Sequence, residues 1–284
     1  MTMAPPARTR PAPLTATVVR TEQLSPTMIR VVFGGAGLRS FRASDSTDSY
    51  VKLTFLQAGV DYPRPLDMAV VRATLPQEQW PVVRTYTVRA WDSAAGELSV
   101  DFVVHGDSGV AGPWAAGARP GDELLVAGPG GAYSPDPAAD FHLFVGDESA
   151  LPAIAAALEQ LPAGARGRVL VEVPAPASAI ALAAPAGVEV TWVEADDRGV
   201  GAALVDATRA VAFPADGVDA FVHGEAGFVK ELRTLLRVDR GVAKERLSVS
   251  GYWRLGATEE GWRAGKAEWN RQAEAVEVAA GLTP

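Results

Sequence analysis

The chain has 284 residues, 48% of them hydrophobic, and a formal net charge of −8 at pH 7. That supplies apolar side chains for two domains and argues against global disorder, while the negative balance argues against nucleic acid or an anionic membrane as a general partner. Without cysteine there is no disulfide, thiolate metal ligand or cysteine nucleophile; no apolar run is long enough to span a membrane and no signal peptide opens the chain, so a cytoplasmic location is expected.

In chain order, residues 1–13 are proline-rich and read as a disordered tail. Leu14–Glu22 and Met28–Phe33 read as strands joined by a turn at Ser25–Pro26, and Tyr50–Leu56 as a third. Gln57–Gln79 is polar, bears prolines and reads as a long loop. Val82–Trp91, rich in Val, Thr and Tyr, is expected to be one strand. Alternation would put Arg84 and Tyr86 on one face, Thr85 and Thr87 on the other. Leu98, Val100, Phe102 and Val104 form a period-2 set, and Asp122–Ala127 makes a sixth strand. Six short antiparallel strands with a helix-like insertion at Ser108–Ala118 predict a β-barrel over residues 14–139.

The pattern changes near Asp140. Phe141–Val145, Arg168–Val173, Val188–Val193, Val218–His223 and Leu247–Tyr252 are apolar strand runs. Helical stretches separate them at Leu151–Leu161, Val200–Ala212 and Gly227–Arg237. This alternation predicts a doubly wound parallel sheet, an α/β domain over 140–253. Residues 254–284 form a helical extension, in which Trp262, Lys266, Trp269, Ala273, Val276 and Ala280 fall on one stripe.

The chemistry concentrates in a few segments. Arg84-Thr-Tyr-Thr-Val-Arg89 offers a ring, a guanidinium and two hydroxyls. A flavin dinucleotide needs those groups, although a half-exposed strand also carries them. His105-Gly-Asp-Ser-Gly109 brings flexible backbone to a strand end, where amides can approach a phosphate or simply make a connection. Trp114 can cap the barrel or cover a nucleotide; Tyr133 can lie over a flavin or sit exposed in its loop. Gly146-Asp-Glu-Ser-Ala-Leu-Pro152 joins the first parallel strand to its helix and lacks a dinucleotide fingerprint. It lies at the carboxyl rim of the sheet, where open α/β sheets bind ligands. His223-Gly-Glu225 and Gly251-Tyr-Trp-Arg254 reach the same rim, so Trp253 and Arg254 are expected to face the crevice, with Lys52 opposite. No metal-ligand spacing or catalytic triad stands out among His105, His142 and His223.

Together these segments give the chain a resemblance to the siderophore-interacting proteins, flavin-dependent ferric-siderophore reductases of the ferredoxin-reductase-like superfamily. Arg119-Pro-Gly-Asp122 and Gly128–Pro129 add to it, and the likeness runs from about Leu14 to Trp269. The resemblance implies an FAD-binding barrel, a nicotinamide-binding-like domain, and reduction of ferric iron held by a siderophore. Arg84 would hold the FAD pyrophosphate, Tyr86 would pack on the flavin, and Thr87 would bond its reactive edge, with Thr85 beside them. His105, Gly106, Gly109, Ala111, Gly112 and Trp114 would cradle the pyrophosphate and adenosine, and Glu148 and Ser149 complete the cofactor set. Lys52, Arg254 and Lys266 would hold the anionic siderophore. Gly146, Asp147, Glu194, Gly224, Glu225 and Trp253 would line the nicotinamide site.

Two departures stand out. Where relatives commonly carry a basic residue, this chain has Glu194-Ala-Asp-Asp197, and the order of residues Gly109–Pro113 is altered. The acidic run favours NADH over NADPH, with ferredoxin as an alternative donor. Rival expectations are a flavin or ferredoxin-type reductase on the same scaffold, or a flavoprotein that binds an iron chelate without turning it over.

Overall fold

The computed structural model describes residues 12–106, 109–212, 214 and 216–283. The expected tail therefore lies, up to residue 11, outside the described residues, as do Asp107 and Ser108 of the glycine-rich segment.

The first domain is one antiparallel sheet of seven strands, not six. They are β1 (Leu14–Ser25), β2 (Met28–Gly34), β3 (Tyr50–Phe55), β4 (Val82–Thr87), β5 (Ala90–Asp92), β6 (Glu97–Val103) and β7 (Glu123–Gly130). Their order is β4-β3-β7-β1-β2-β6-β5. The extra strand arises because the run expected over Val82–Trp91 breaks. Val88 N donates to Ser49 O and Arg89 N to Ser99 O, so within two residues the backbone leaves the β3 side and joins β6. Since β4 and β5 are the two edges of the sheet, that short link forces it to curl into a barrel. Phe33, Leu53, Leu98 and Phe102 are fully buried inside it.

The expected loop Gln57–Gln79 contains a helix, α1 (Met68–Thr74), and a 3-10 turn at Gln77–Gln79. Asp67 caps α1, accepting from Ala69 N at 2.8 Å and Val70 N at 3.4 Å. The insertion after β6 holds α2 (Ala111–Gly117). Trp114 of α2 lies among Phe33, Phe55 and Phe102, with ring centroids at 5.7–6.0 Å. It thus plugs the barrel and is not in the cavity wall described below.

The second domain is a parallel sheet of β8 (Phe141–Asp147), β9 (Arg166–Val173), β10 (Gly187–Glu194), β11 (Val218–Glu225) and β12 (Leu247–Trp253), ordered β10-β9-β8-β11-β12. β8 and β11 are buried almost throughout, hence the apolar runs at 143–145 and 220–222 in their middles. Helix α3 (Leu151–Gln160) covers one face; α4 (Ala202–Arg209), α5 (Ala226–Thr234) and α6 (Glu259–Ala279) cover the other. α5 ends sooner than expected and runs into a π turn at Leu235–Asp239. The β9–β10 crossover has a 3-10 turn, Pro176–Ser178, in place of a helix.

The domains meet across named contacts. Arg89 of the barrel pairs with Glu159 of α3. Tyr133, expected over a flavin or exposed, is buried here: its hydroxyl donates to Asp219 Oδ2 at 2.9 Å and its ring lies 4.9 Å from that of Phe221. α6 rests on the α/β domain through Trp262 and Trp269, whose indoles donate to Gly251 O and Ala226 O. Near its end, the buried Glu277 accepts from Arg233 at 2.5 Å. Among the described residues no helix is long and apolar enough to cross a membrane, and no group of side chains could hold a metal ion.

Candidate functional site

A cavity of about 680 Å³ opens between the domains, within the usual range for small-molecule sites. Arg84, Thr85, Tyr86 and Thr87 of β4 form its barrel wall, with Tyr50, Asp101 and Val103. The α/β wall is Asp147 at the end of β8 with Glu148 and Ser149 after it, Glu172 to Pro174 at the end of β9, and Tyr252 and Trp253 of β12. His105 and residues 109–112 close one side, and Glu259 of α6 reaches in from another. The crevice thus lies at the carboxyl ends of the parallel strands, where the strand order reverses between β8 and β11.

Residues 84–87 all line the cavity, not alternate ones as expected. The reason is that β4 is an edge strand, paired only with β3, and the cavity runs along its free edge. Tyr86 backs onto Phe102, with ring centroids 4.4 Å apart, and burial pushes its phenol up. Arg84 already has partners: its guanidinium bonds Glu260 at 2.6 Å and lies 3.4 Å from Glu259, both in the first turn of α6. Gly109 has φ +81°, and an added Cβ would meet nothing within 4 Å, so that backbone is open to a ligand.

Asp147 organises the other wall. Its Oδ1 accepts from Ser149 N at 2.9 Å and Ser149 Oγ at 2.5 Å; its Oδ2 accepts from Glu225 N at 2.8 Å and Trp253 Nε1 at 2.7 Å. One carboxylate therefore ties together the ends of β8, β11 and β12. Burial raises its pKa, and these four donors act against that rise. Glu148 accepts from Thr27 Oγ1 of the barrel, and Glu172 accepts from Gly201 N at 2.8 Å; burial raises both carboxyls.

Other expected residues are set apart from the cavity. Gly146 and Gly224 are buried; a Cβ on Gly224 would come within 2.7 Å of the Asp147 carboxyl. Glu225 caps α5, accepting from Gly227 N and Phe228 N, and also from Leu255 N at 3.1 Å. Glu194 ends β10 exposed. Arg198 is taken up by Asp196 at 2.6 Å and Asp206 at 2.7 Å. Lys52 is exposed directly across from Thr85 and so shares a sheet face with it. Arg254 is exposed next to Trp253. Lys266 does not join them: its ammonium donates to Ser250 Oγ at 3.0 Å and Gly251 O at 2.9 Å, and burial lowers its pKa.

Several cavity residues escaped the sequence reading. Glu172 was accessible through the rule that parallel strands present ligands at their carboxyl ends. Tyr252 stands inside the Gly-Tyr-Trp-Arg segment already singled out. Glu259 gives no local signal, because only the docking of α6 brings it to β4.

Residues 17–133 match the siderophore-interacting FAD-binding domain, and residues 139–256 match the siderophore-interacting protein domain. The chain belongs to the siderophore-interacting protein family. Among curated relatives of this siderophore-interacting protein is an uncharacterized protein of Mycobacterium tuberculosis, 51% identical over 88% of this chain and 93% of the relative. The ferric vibriobactin reductase ViuB of Vibrio cholerae is 34% identical, covering 86% of this chain and 90% of its own. The NADPH-dependent ferric-chelate reductase of Escherichia coli is 33% identical, covering 84% and 91%. The crystal structure of the siderophore-interacting protein SipS from Aeromonas hydrophila superposes with a TM-score of 0.78, at 31% identity over 92% of this chain and 98% of that one. The barrel is therefore an FAD-binding domain, joined to an α/β domain of ferredoxin-reductase-like architecture.

Proposed function

We propose that this siderophore-interacting protein binds FAD along β4 and reduces ferric iron presented as a siderophore complex, with electrons from a reduced nicotinamide. The observation that carries the reading is the joint exposure of Arg84, Tyr86 and Thr87 in one interdomain cavity. When bound, FAD supplies the redox chemistry, accepting a hydride and passing electrons singly. The protein's part is to bind, orient and exclude water. The residues fit the cofactor: Tyr86 offers an apolar wall, Arg84 a cation for the diphosphate, Thr87 a hydroxyl, and the backbone at Gly109 an open approach. Trp114 is left out of this set, since it fills the barrel. No acid, base or nucleophile is required of the chain. Lys52, paired with Thr85, and Arg254, next to Trp253, are exposed beside a residue of each cavity wall and would attract an anionic chelate.

Purified protein should be yellow, with about one FAD per chain. Arg84→Ala removes a charge-assisted bond worth about 1.5–3 kcal/mol, or roughly tenfold to a hundredfold in affinity. Because Glu259 and Glu260 already hold Arg84, the expected loss is at the lower end, about tenfold by fluorescence titration of FAD. Unchanged affinity would remove Arg84 from the site.

The donor follows from the rim of β10. A 2′-phosphate there would meet Glu194 and Asp197, while Arg198, the nearest cation in sequence, is bound to Asp196 and Asp206. Anaerobic flavin reduction should be faster with NADH than with NADPH by about fivefold to tenfold, or roughly 1–1.4 kcal/mol. Adding a ferric siderophore should then restore the oxidised spectrum. A faster rate with NADPH would overturn the preference. One observation favours a second reading: the α/β wall presents Asp147, Glu148 and Glu172, with no Lys or Arg among its described cavity residues. No reduction by either nucleotide, but reduction by a ferredoxin, would establish a protein donor.

A further inference from the structure

A second cavity, of about 200 Å³, lies where the end of α5, the start of β12 and the last turns of α6 meet. Arg233, Arg237, Lys244, Glu274 and Glu277 line it, with two aliphatic residues of β12, and it shares no residue with the interdomain cavity. Arg233 lies in the last turn of α5 and Arg237 in the π turn after it, and both reach toward Glu277 of α6. The two arginines are only 8% and 7% exposed.

One carboxylate does not satisfy them. Glu277 accepts from Arg233 Nε at 2.5 Å, but its other oxygen lies 3.6 Å from Arg237 Nε, too far for a hydrogen bond. That Nε is buried without an acceptor among the described residues. Arg237 Nη1 donates to Val242 O at 2.6 Å, and each guanidinium carries further donors beyond these. The charges do not balance either. Two guanidinium groups against Glu277 leave one positive charge over, while the exposed Lys244 and the half-buried Glu274 add one charge of each sign and cancel. A charge so far removed from water is costly unless it is paired. We propose that this cavity is a binding site for a small oxyanion of the phosphate class. Water, at about 30 Å³ a molecule, can fill the space and serve the donors, but it brings no charge. An oxyanion supplies the missing negative charge together with several acceptor oxygens, and guanidinium groups hold it through paired hydrogen bonds. The site goes beyond the redox reading and is independent of it. Its occupant would tie α5, β12 and α6 together at the end of α6 opposite Glu259.

The test is a titration of the full chain, in excess FAD, with inorganic phosphate at pH 7. Sodium chloride holds the ionic strength constant, and calorimetry and the melting temperature are the readouts. Saturable binding of about one phosphate per chain is expected, with the melting temperature rising as the site fills. Lys244→Ala should weaken binding about threefold and Lys244→Glu about tenfold. Arg237→Gln, which keeps a donor and loses the charge, should weaken it roughly tenfold to a hundredfold. FAD content and the rate of flavin reduction should stay at wild-type values in both Lys244 variants. If Arg237→Gln does not fold, the Lys244 pair decides alone, because that side chain is exposed. No saturable binding to the wild type would overturn the site. So would an equal rise in melting temperature in every variant, the mark of a general salt effect, or undiminished affinity in Lys244→Glu.

Discussion

Asp147→Ala is expected to lower the unfolding free energy by about 3–5 kcal/mol, and the melting temperature by roughly 10 °C. The carboxylate is buried and accepts from four donors, two on Ser149 just after β8 and one each on β11 and β12. Of these, Glu225 N and Trp253 Nε1 lose their acceptor without a described substitute, and each stranded donor costs about 1–3 kcal/mol. Asp147→Asn should cost less than half as much. Its carbonyl oxygen can serve Glu225 and Trp253, while its amide turns toward the Ser149 hydroxyl. That ranking agrees with burial acting on Asp147 in the direction that favours a neutral group. Thermal denaturation of the three proteins tests it, and an alanine variant as stable as wild type would refute the role of Asp147 as a tie.

A comparable loss is expected at the far end of the same domain. Glu277 is 1% exposed and stands between Arg233, at 2.5 Å, and Arg237, at 3.6 Å. Glu277→Ala leaves two largely buried guanidinium groups without their carboxylate, a change that costs about 3–5 kcal/mol. Replacing all three residues with apolar ones of similar size should recover most of that loss, because desolvation of the ions offsets much of their attraction. Burial pushes the Glu277 carboxyl up, but the Arg233 hydrogen bond and the two positive charges outweigh it, so its pKa is lowered in the folded chain. The sign follows: this stabilisation is complete above the ordinary glutamate pKa near 4.3 and is lost as pH falls through the folded value. Acid unfolding, followed by circular dichroism, should begin at higher pH in Glu277→Ala. Coincident acid transitions for the two proteins would count against it.

The strands of both domains were legible because each carries a pattern that its surroundings demand. β6 alternates because one face meets the barrel core, and the middle of β8 is a continuous apolar run because helices cover both faces. What the sequence concealed depends on partners far along the chain. Tyr133 reads as a loop residue until Asp219 and Phe221 arrive from the other domain. Lys266 sits on the correct helical stripe, and for that reason it is drawn inward to Ser250 and Gly251 rather than outward to a ligand. The break between β4 and β5 has no Gly or Pro to mark it, since a change of strand partner causes it. At the site, the β4 residues and the glycine-rich segment could be named from sequence. The Asp147 hub and the reach of Glu259 could not, because hydrogen-bond counts and helix docking are not written in any local run.

The pairing of Arg84 with Glu259 and Glu260 gives the cavity a form of anion discrimination. A bare guanidinium at the mouth of a water-filled cleft would collect whatever small anion is abundant. Here that position is already filled by two carboxylates from the other domain. A free phosphate or carboxylate arriving there can only trade places with them, at little net gain. On the FAD reading proposed above, a dinucleotide would bring an aromatic ring and an adenosine as well as its charge, and those additional contacts would tip the exchange in its favour. The displaced carboxylates would stay at the amino end of α6, where the helix dipole suits them. The arginine is thus screened from the ordinary ionic background of its surroundings, and on that reading it would yield to a ligand that fills the rest of the cleft.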